Sequence, residues 1–174
     1  MKTILISGKA RAGKDYTASF LKEHYEKEGK RVIIMHFADL LKFYCKTYFG
    51  WNGEKDEAGR TLLQHIGTDV VRKKKPSFWV DQINRFLDIF EDELDYVFIA
   101  DCRFPNELDA IESRFGPVKA RVERPGFENN LTEEQKNHPS ETALDGYTDY
   151  DVILYNTGDE RYHDEILSKI KFFE

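Results

Sequence analysis

Several things are scarce or missing in this chain, and each absence narrows what it can do. Only two cysteines occur in 174 residues. Cys45 and Cys102 are too few and too far apart for a disulfide framework or a CxxC metal site, so reduced thiols in a cytoplasm are expected, the host's if the chain is viral. No stretch approaches the apolar length of a membrane span, and Met1-Lys2-Thr3 runs straight into a short strand pattern instead of a signal-peptide core. Positive charge is also short: 26 Lys and Arg against 32 Asp and Glu leave a net charge of -6. That balance argues against extended binding to a nucleic-acid backbone or an anionic membrane, and any cationic site must be a local concentration. His65 and His138 have no second histidine at metal-ligand spacing, and no Ser, His and Asp cue marks a nucleophile, so covalent catalysis is not expected.

No internal repeat or low-complexity tract interrupts the chain. Short apolar runs alternate instead with longer segments of helical period, which is the pattern of a parallel α/β sheet. Five runs read as strands: Thr3 to Ser7, Val32 to Phe37, Tyr96 to Ala100, Val118 to Val122 and Val152 to Tyr155. Helices are expected over Thr17 to Tyr25, closed by Gly29, over Trp79 to Leu94, from Pro105 to about Gly116, and from about Tyr162. Two stretches break the alternation, Gly50 to Gly59 and the polar Pro125 to Pro139, and read as mobile excursions. Tyr48, Phe49 and Trp51 lie close together; core burial is the first expectation, with a base-stacking platform or a homodimer contact as alternatives.

The most specific signal is Gly8-Lys9-Ala10-Arg11-Ala12-Gly13-Lys14, a GxxxxGK sequence that follows an apolar strand and opens a helix. Glycines let the backbone wrap a polyphosphate, the amides and helix N-terminus offer partial positive charge, and Lys14 reaches the outer phosphates. Position 15 departs from the common pattern: Asp15 stands where such loops usually carry a Ser or Thr on Mg²⁺. Two readings stay open, a carboxylate that holds the ion's water shell and a first-turn acid favoured by the helix dipole.

In open α/β sheets ligands bind beyond the carboxyl ends of the strands. Those ends carry Asp39, Asp101 with Arg103, Arg121 with Arg124, and Asn156. Asp101 closes an apolar strand as a metal- or water-positioning acid would, with a simple loop cap as the alternative. Arg103 suits a bidentate grip on a phosphate, Arg121 and Arg124 stand where a closing lid begins, and Arg60, Gln64 and Arg72 flank a helical pattern that can read an acceptor's phosphate and base. The run Arg72-Lys73-Lys74-Lys75 otherwise reads as a solvated face.

Three segments, Gly8 to Ala18, Asp101-Cys102-Arg103-Phe104-Pro105-Asn106-Glu107 and His138-Pro139-Ser140-Glu141-Thr142, together resemble the deoxynucleoside monophosphate kinases of tailed bacteriophages. Leu63 to Arg72 and Phe78-Trp79-Val80-Asp81 extend the resemblance over nearly the whole chain. The resemblance implies a three-layer P-loop kinase fold, a five-stranded parallel sheet flanked by helices. Residues 1–174 form one domain, with an acceptor-binding excursion at about 39–81 and a lid at about 121–145. It implies ATP on residues 8–16, Tyr16 included, with Asn156-Thr157-Gly158 beside the adenine. Asp39, Lys42, Arg60, Gln64, Arg72, Trp79, Arg103, His138, Ser140 and Glu141 would surround a deoxynucleoside monophosphate. Mg²⁺ would come with ATP, near Asp15, through water, and Asp101. Lys14, Arg103, Arg121, Arg124 and Asp101 would carry an in-line transfer that needs no general base. The loop also resembles that of animal phosphomevalonate kinases, although the Asp101 to Glu107 segment argues against that acceptor. A nucleotide-binding switch that hydrolyses ATP or GTP slowly is the reading from another class; the arginines outside the loop and the lack of an NKxD segment speak against it.

Overall fold

A computed structural model describes residues 1–111 and 113–170. Five parallel strands form one sheet in the order β2-β3-β1-β4-β5: β1 (Lys2–Ser7), β2 (Val32–Met35), β3 (Tyr96–Cys102), β4 (Val118–Glu123) and β5 (Val152–Tyr155). All five expected strands form. β2 stops at Met35, two residues earlier than expected, and β3 runs on through Cys102, so Asp101 belongs to the strand instead of following it.

Period-two alternation decides the layering. Ile4, Ile6, Phe98 and Ala100 face one side of the sheet, against α1 (Lys14–Lys27) and α8 (Arg161–Ile170) through Leu21, Tyr25, Tyr162 and Ile166. Leu5, Val97 and Ile99 face the other, against α2 (Ala38–Tyr48) and α4 (Phe78–Phe90) through Leu41, Cys45, Ile83 and Leu87. Both faces of the sheet are covered, which is why β1 and β3 read as nearly unbroken apolar runs.

The segments between these layers differ most from the sequence reading. α2 was not anticipated, and α3 (Glu57–Gln64) passes directly into a π-helical segment, His65–Arg72. Asp56 caps α3 by accepting the Gly59 amide at 2.7 Å. The helix expected from Pro105 to Gly116 shrinks to α5 (Pro105–Asp109), followed by a 3-10 turn at Ser113–Phe115. The polar excursion after β4 holds two short helices, α6 (Glu133–Asn137) and α7 (Pro139–Thr142). Of the clustered aromatics, Trp51 is buried as expected, its indole N–H donating to the Glu54 carbonyl at 2.8 Å. Tyr48 and Phe49 are instead exposed, because they sit at the far end of α2 on the side away from the core.

The start of the glycine-containing loop is pressed against the sheet. Gly8 has φ of 143°, and a Cβ there would lie 2.3 Å from the Val122 carbonyl oxygen of β4. Neither the backbone conformation nor the neighbouring backbone can yield cheaply. Gly8→Ala is expected to lower the stability by about 2 kcal/mol or more, read as a lower urea midpoint at unchanged m-value.

Candidate active site

The loop leaves the central strand β1 and turns into α1, so it lies at the carboxyl edge of the sheet. Gly8, Arg11 and Gly13 all take positive φ, at 143°, 62° and 111°. Arg11 is the one non-glycine residue with positive φ among the described residues. Such a conformation costs on the order of 1 kcal/mol and is tolerated where the surrounding structure demands it. Lys14 is buried, and its Nζ donates to the carbonyls of Gly8 at 2.8 Å and Lys9 at 2.9 Å. Burial, and next the positive charge of Arg103, push its pKa down to about 7.

A cavity of about 620 Å³ opens beside the loop. Its lining brings together seven Lys and Arg side chains, Arg11, Lys14, Lys42, Lys55, Arg60, Arg72 and Arg103, and His36, against four acidic ones, Asp15, Asp101, Glu107 and Glu141. In a chain of net charge -6 this is a strong local concentration of cations. The apolar part of the wall comes from Phe37, Leu41, Trp79, Phe104 and Leu131. A charged rim with an apolar back suits a ligand that carries both phosphate and a ring.

Each acid here organises cations or amides. Asp101 accepts the backbone amides of Phe37 at 2.8 Å and Ala38 at 3.0 Å, fixing the entry to α2. The capping alternative is thus realised, although Asp101 also lines the cavity. Glu141, from α7, accepts the Ala10 amide at 3.1 Å through one oxygen and pairs with Arg103 at 2.8 Å through the other. Arg103 also reaches the Gly8 carbonyl at 3.4 Å. Glu107 pairs with Arg72 and accepts the amides of Arg103 at 2.6 Å and Phe104 at 3.0 Å.

Asp15 is neither a lone first-turn acid nor isolated on the surface. Its Oδ1 lies 2.7 Å from His36 Nε2, and the other His36 nitrogen faces Asp39 at 3.3 Å, which in turn accepts from Lys42 at 3.0 Å. The hydrogen bonds that His36 donates to Asp15 and Asp39 raise its pKa to about 9, so the imidazole is cationic at neutral pH, and the same contact holds Asp15 below the usual carboxylate range. Burial alone would raise Asp39, but the bonds from His36 and Lys42 overcome it and hold the carboxyl low. His36 and Lys55 escaped the sequence reading. Both lie off any motif; His36 reaches Asp15 only through the fold, and Lys55 joins Arg60 on the cavity wall. His36, directly after β2, was the more accessible of the two to a strand-end argument.

Other expected residues fall elsewhere. Arg60 and Gln64 line the cavity, with Gln64 3.3 Å from Ser140 Oγ, and Ser140 lines it too. Trp79 is mainly core: it is buried and its indole N–H donates to the Gly67 carbonyl at 3.1 Å, although one side reaches the cavity. His138 is not part of the lining and caps α7, its Nδ1 accepting the Ser140 amide at 3.2 Å. Arg121 and Arg124 do not reach the cavity. Arg121 is held by Glu123, Tyr150 and the Leu144 carbonyl, and Arg124 lies over the Phe127 ring at 4.2 Å. The excursion after β4 contributes Leu131, Ser140 and Glu141 to the wall instead of its arginines. Of the expected donor-side residues, Asn156 braces the loop, donating to the Ala12 carbonyl at 2.8 Å and accepting the Gly158 amide at 2.9 Å. Thr157 is exposed and bonds to Asp159, while Tyr16 stacks with Tyr162 and His163 outside the cavity.

A family model described as deoxynucleotide monophosphate kinase matches residues 29–166. The matched span begins after the phosphate loop, so the loop is a separate observation. A putative deoxynucleotide monophosphate kinase of Acanthamoeba polyphaga mimivirus is 28% identical over 191 residues, spanning 94% of this chain and 93% of that protein. The deoxynucleotide monophosphate kinase of Enterobacteria phage T4 is 33% identical over 122 residues, 69% of this chain and 46% of that protein. Among solved structures, TT1252 from Thermus thermophilus shares the fold at a TM-score of 0.61 and 18% identity, over 98% of this chain and 96% of that one. An APS kinase of Mycobacterium tuberculosis does so at a TM-score of 0.50 and 9% identity, over the same shares. With its phosphate loop, its cation-lined cavity and a family match over most of its length, this chain belongs to the deoxynucleotide monophosphate kinase family.

Proposed function

We propose that this protein transfers the γ-phosphate of ATP, held on residues 8–15, to a deoxynucleoside monophosphate held in the adjoining cavity. The observation that carries the reading is the second group of cations, Arg60 and Arg72 with Lys42 and Lys55, which line one cavity together with the loop and Arg103. A protein that only binds or hydrolyses a nucleotide needs the loop but not this second anion-binding wall. Within one kinase domain, residues 39–81 serve as the acceptor-binding excursion and 121–145 as the cover.

The acceptor's phosphate is already ionised near neutral pH, so the chain's work is to position it and to neutralise charge. Lys14 and Arg103 stand between the loop and the cavity and are the residues best placed to stabilise the phosphate in flight. Arg124 would take part after a rearrangement of the segment that follows β4, whereas Arg121, fixed in β4, already lies beside Gly8 and Lys9. Asp15 and Asp101 offer hard carboxylate oxygens, which suit a Mg²⁺ ion that keeps several waters. Among the described residues no three His, Cys, Asp or Glu side chains form a metal cluster, which fits an ion carried largely by the nucleotide's phosphates. Asp101 already shares both oxygens with amides, so Asp15 is the stronger donor. Bound Mg²⁺ supplies charge neutralisation on the phosphate oxygens.

ADP release should be measured with MgATP against the common ribo- and deoxynucleoside monophosphates, phosphomevalonate and no acceptor. Release is expected to depend on one or a few deoxynucleotides, and Lys14→Met is expected to reduce it by about 100-fold or more with an unchanged circular-dichroism spectrum. Release indifferent to acceptor would favour a nucleotide switch, and a response to phosphomevalonate alone would reassign the acceptor. A second expectation concerns protons. Lys14 has a pKa of about 7 in the free protein, and a polyphosphate beside it must raise that value. ATP binding at pH 8 should therefore take up close to one proton, read from binding enthalpies in buffers of different ionisation heat. The affinity should be flat below pH 7 and weaken as pH rises above it, and Lys14→Met should lose this dependence.

A further inference from the structure

Glu107 is 2% exposed, yet it carries a carboxyl group for which the transfer chemistry has no direct use. Burying such a group is costly unless every lone pair has work to do. Here its two oxygens are divided. Oε2 accepts the backbone amides of Arg103 and Phe104, closing the first turn of α5. Oε1 pairs with the guanidinium of Arg72, which arrives from the end of the π-helical segment. The same turn holds Arg72 twice more, through Asn106 Oδ1 at 3.1 Å and through the Phe104 ring, whose centroid is 3.9 Å from the guanidinium carbon.

Capping α5 needs only a neutral acceptor, which an amide would provide. Gripping Arg72 needs the second oxygen and the charge. We infer that Glu107 is a positioning residue for phosphoryl transfer, one that locks Arg72 to the backbone bearing Arg103 so that the acceptor meets two guanidinium groups already set apart at a fixed spacing. This inference rests on the kinase reading above. Pre-set donors act without reorganising at the moment of reaction, so the gain appears in acceptor use and not in donor binding.

The test uses the full chain with the deoxynucleotide acceptor identified by ADP release. Glu107→Gln is expected to raise the acceptor KM about tenfold or more and, because it leaves Arg72 without its charge partner, to lower the melting temperature, while the ATP Kd without acceptor stays close to wild type. Arg72→Met should raise the acceptor KM similarly, and adding Glu107→Gln to it should produce little further change, because both remove one device. An unchanged acceptor KM in Glu107→Gln overturns the inference, as do effects that add in full or a loss of ATP binding that matches the loss of acceptor use. Should Glu107→Gln fail to fold, Glu107→Asp takes its place, since the shorter side chain keeps the charge but not the reach to both Arg72 and the backbone: a raised acceptor KM at unchanged ATP Kd upholds the inference, and an unchanged acceptor KM overturns it. A wild type that transfers to no deoxynucleotide sinks the kinase reading itself and this inference with it, whereas transfer with unaltered Glu107→Gln kinetics sinks the positioning role alone.

Discussion

Lys14 is kept out of water at the carboxyl edge of the central strand, and its surroundings are arranged around that cost. Its ammonium is satisfied by the carbonyls of Gly8 and Lys9, which holds the loop folded back over the lysine. Gly8 can make that bend because it tolerates φ of 143° directly beneath the Val122 carbonyl. Asn156 then ties the far side of the loop to the end of β5. A buried ammonium beside Arg103 is poorly tolerated in the free protein, as its lowered pKa indicates, and an arriving phosphate relieves both groups at once.

Around this loop, carboxylates do the organising and cations are left to face the ligand. Glu141 spans the Ala10 amide and Arg103, Glu107 spans Arg72 and the backbone at Arg103, and Asp101 fixes the start of α2. Seven Lys and Arg groups and His36 can therefore line one cavity without scattering into solvent. The π-helical segment belongs to the same design. Its wider turn carries Gly67 past Leu41, where a Cβ would approach within 2.6 Å, and delivers Arg72 to Glu107. Single π turns are frequent where function displaces ordinary helical packing.

Much of this was legible in the order of residues. The five strands followed from short apolar runs, the loop from GxxxxGK after the first of them, and Arg60, Gln64, Arg72, Arg103, Ser140 and Glu141 do line the cavity. Where the reading failed, nearby sequence competed with distant contacts. α2 was missed because its apolar residues do not form one stripe: Leu41 and Cys45 face the core while Phe43 and Tyr48, also apolar, are exposed, so no single helical face stands out. The helix from Pro105 ended early because Ile111 and Phe115 turn into the core instead of continuing the turn of α5. Arg121 and Arg124 do not line the cavity: Glu123 and Tyr150 hold Arg121 in a small cleft beside Gly8 and Lys9, and Arg124 lies over Phe127.

The sequence by itself determined the layers and the anion-binding loop, because both rest on local rules: side-chain period, glycine at positions of positive φ, and a lysine at the start of a helix. Tertiary structure decided which cations face the loop and what each acid does. His36 meets Asp15 across 21 positions, Arg72 meets Glu107 across 35, and Glu141 meets Ala10 across 131. No periodicity within the chain encodes those meetings. They arise where strands from distant parts of the sequence end side by side, and the low-dielectric space between them forces each buried charge to find a partner.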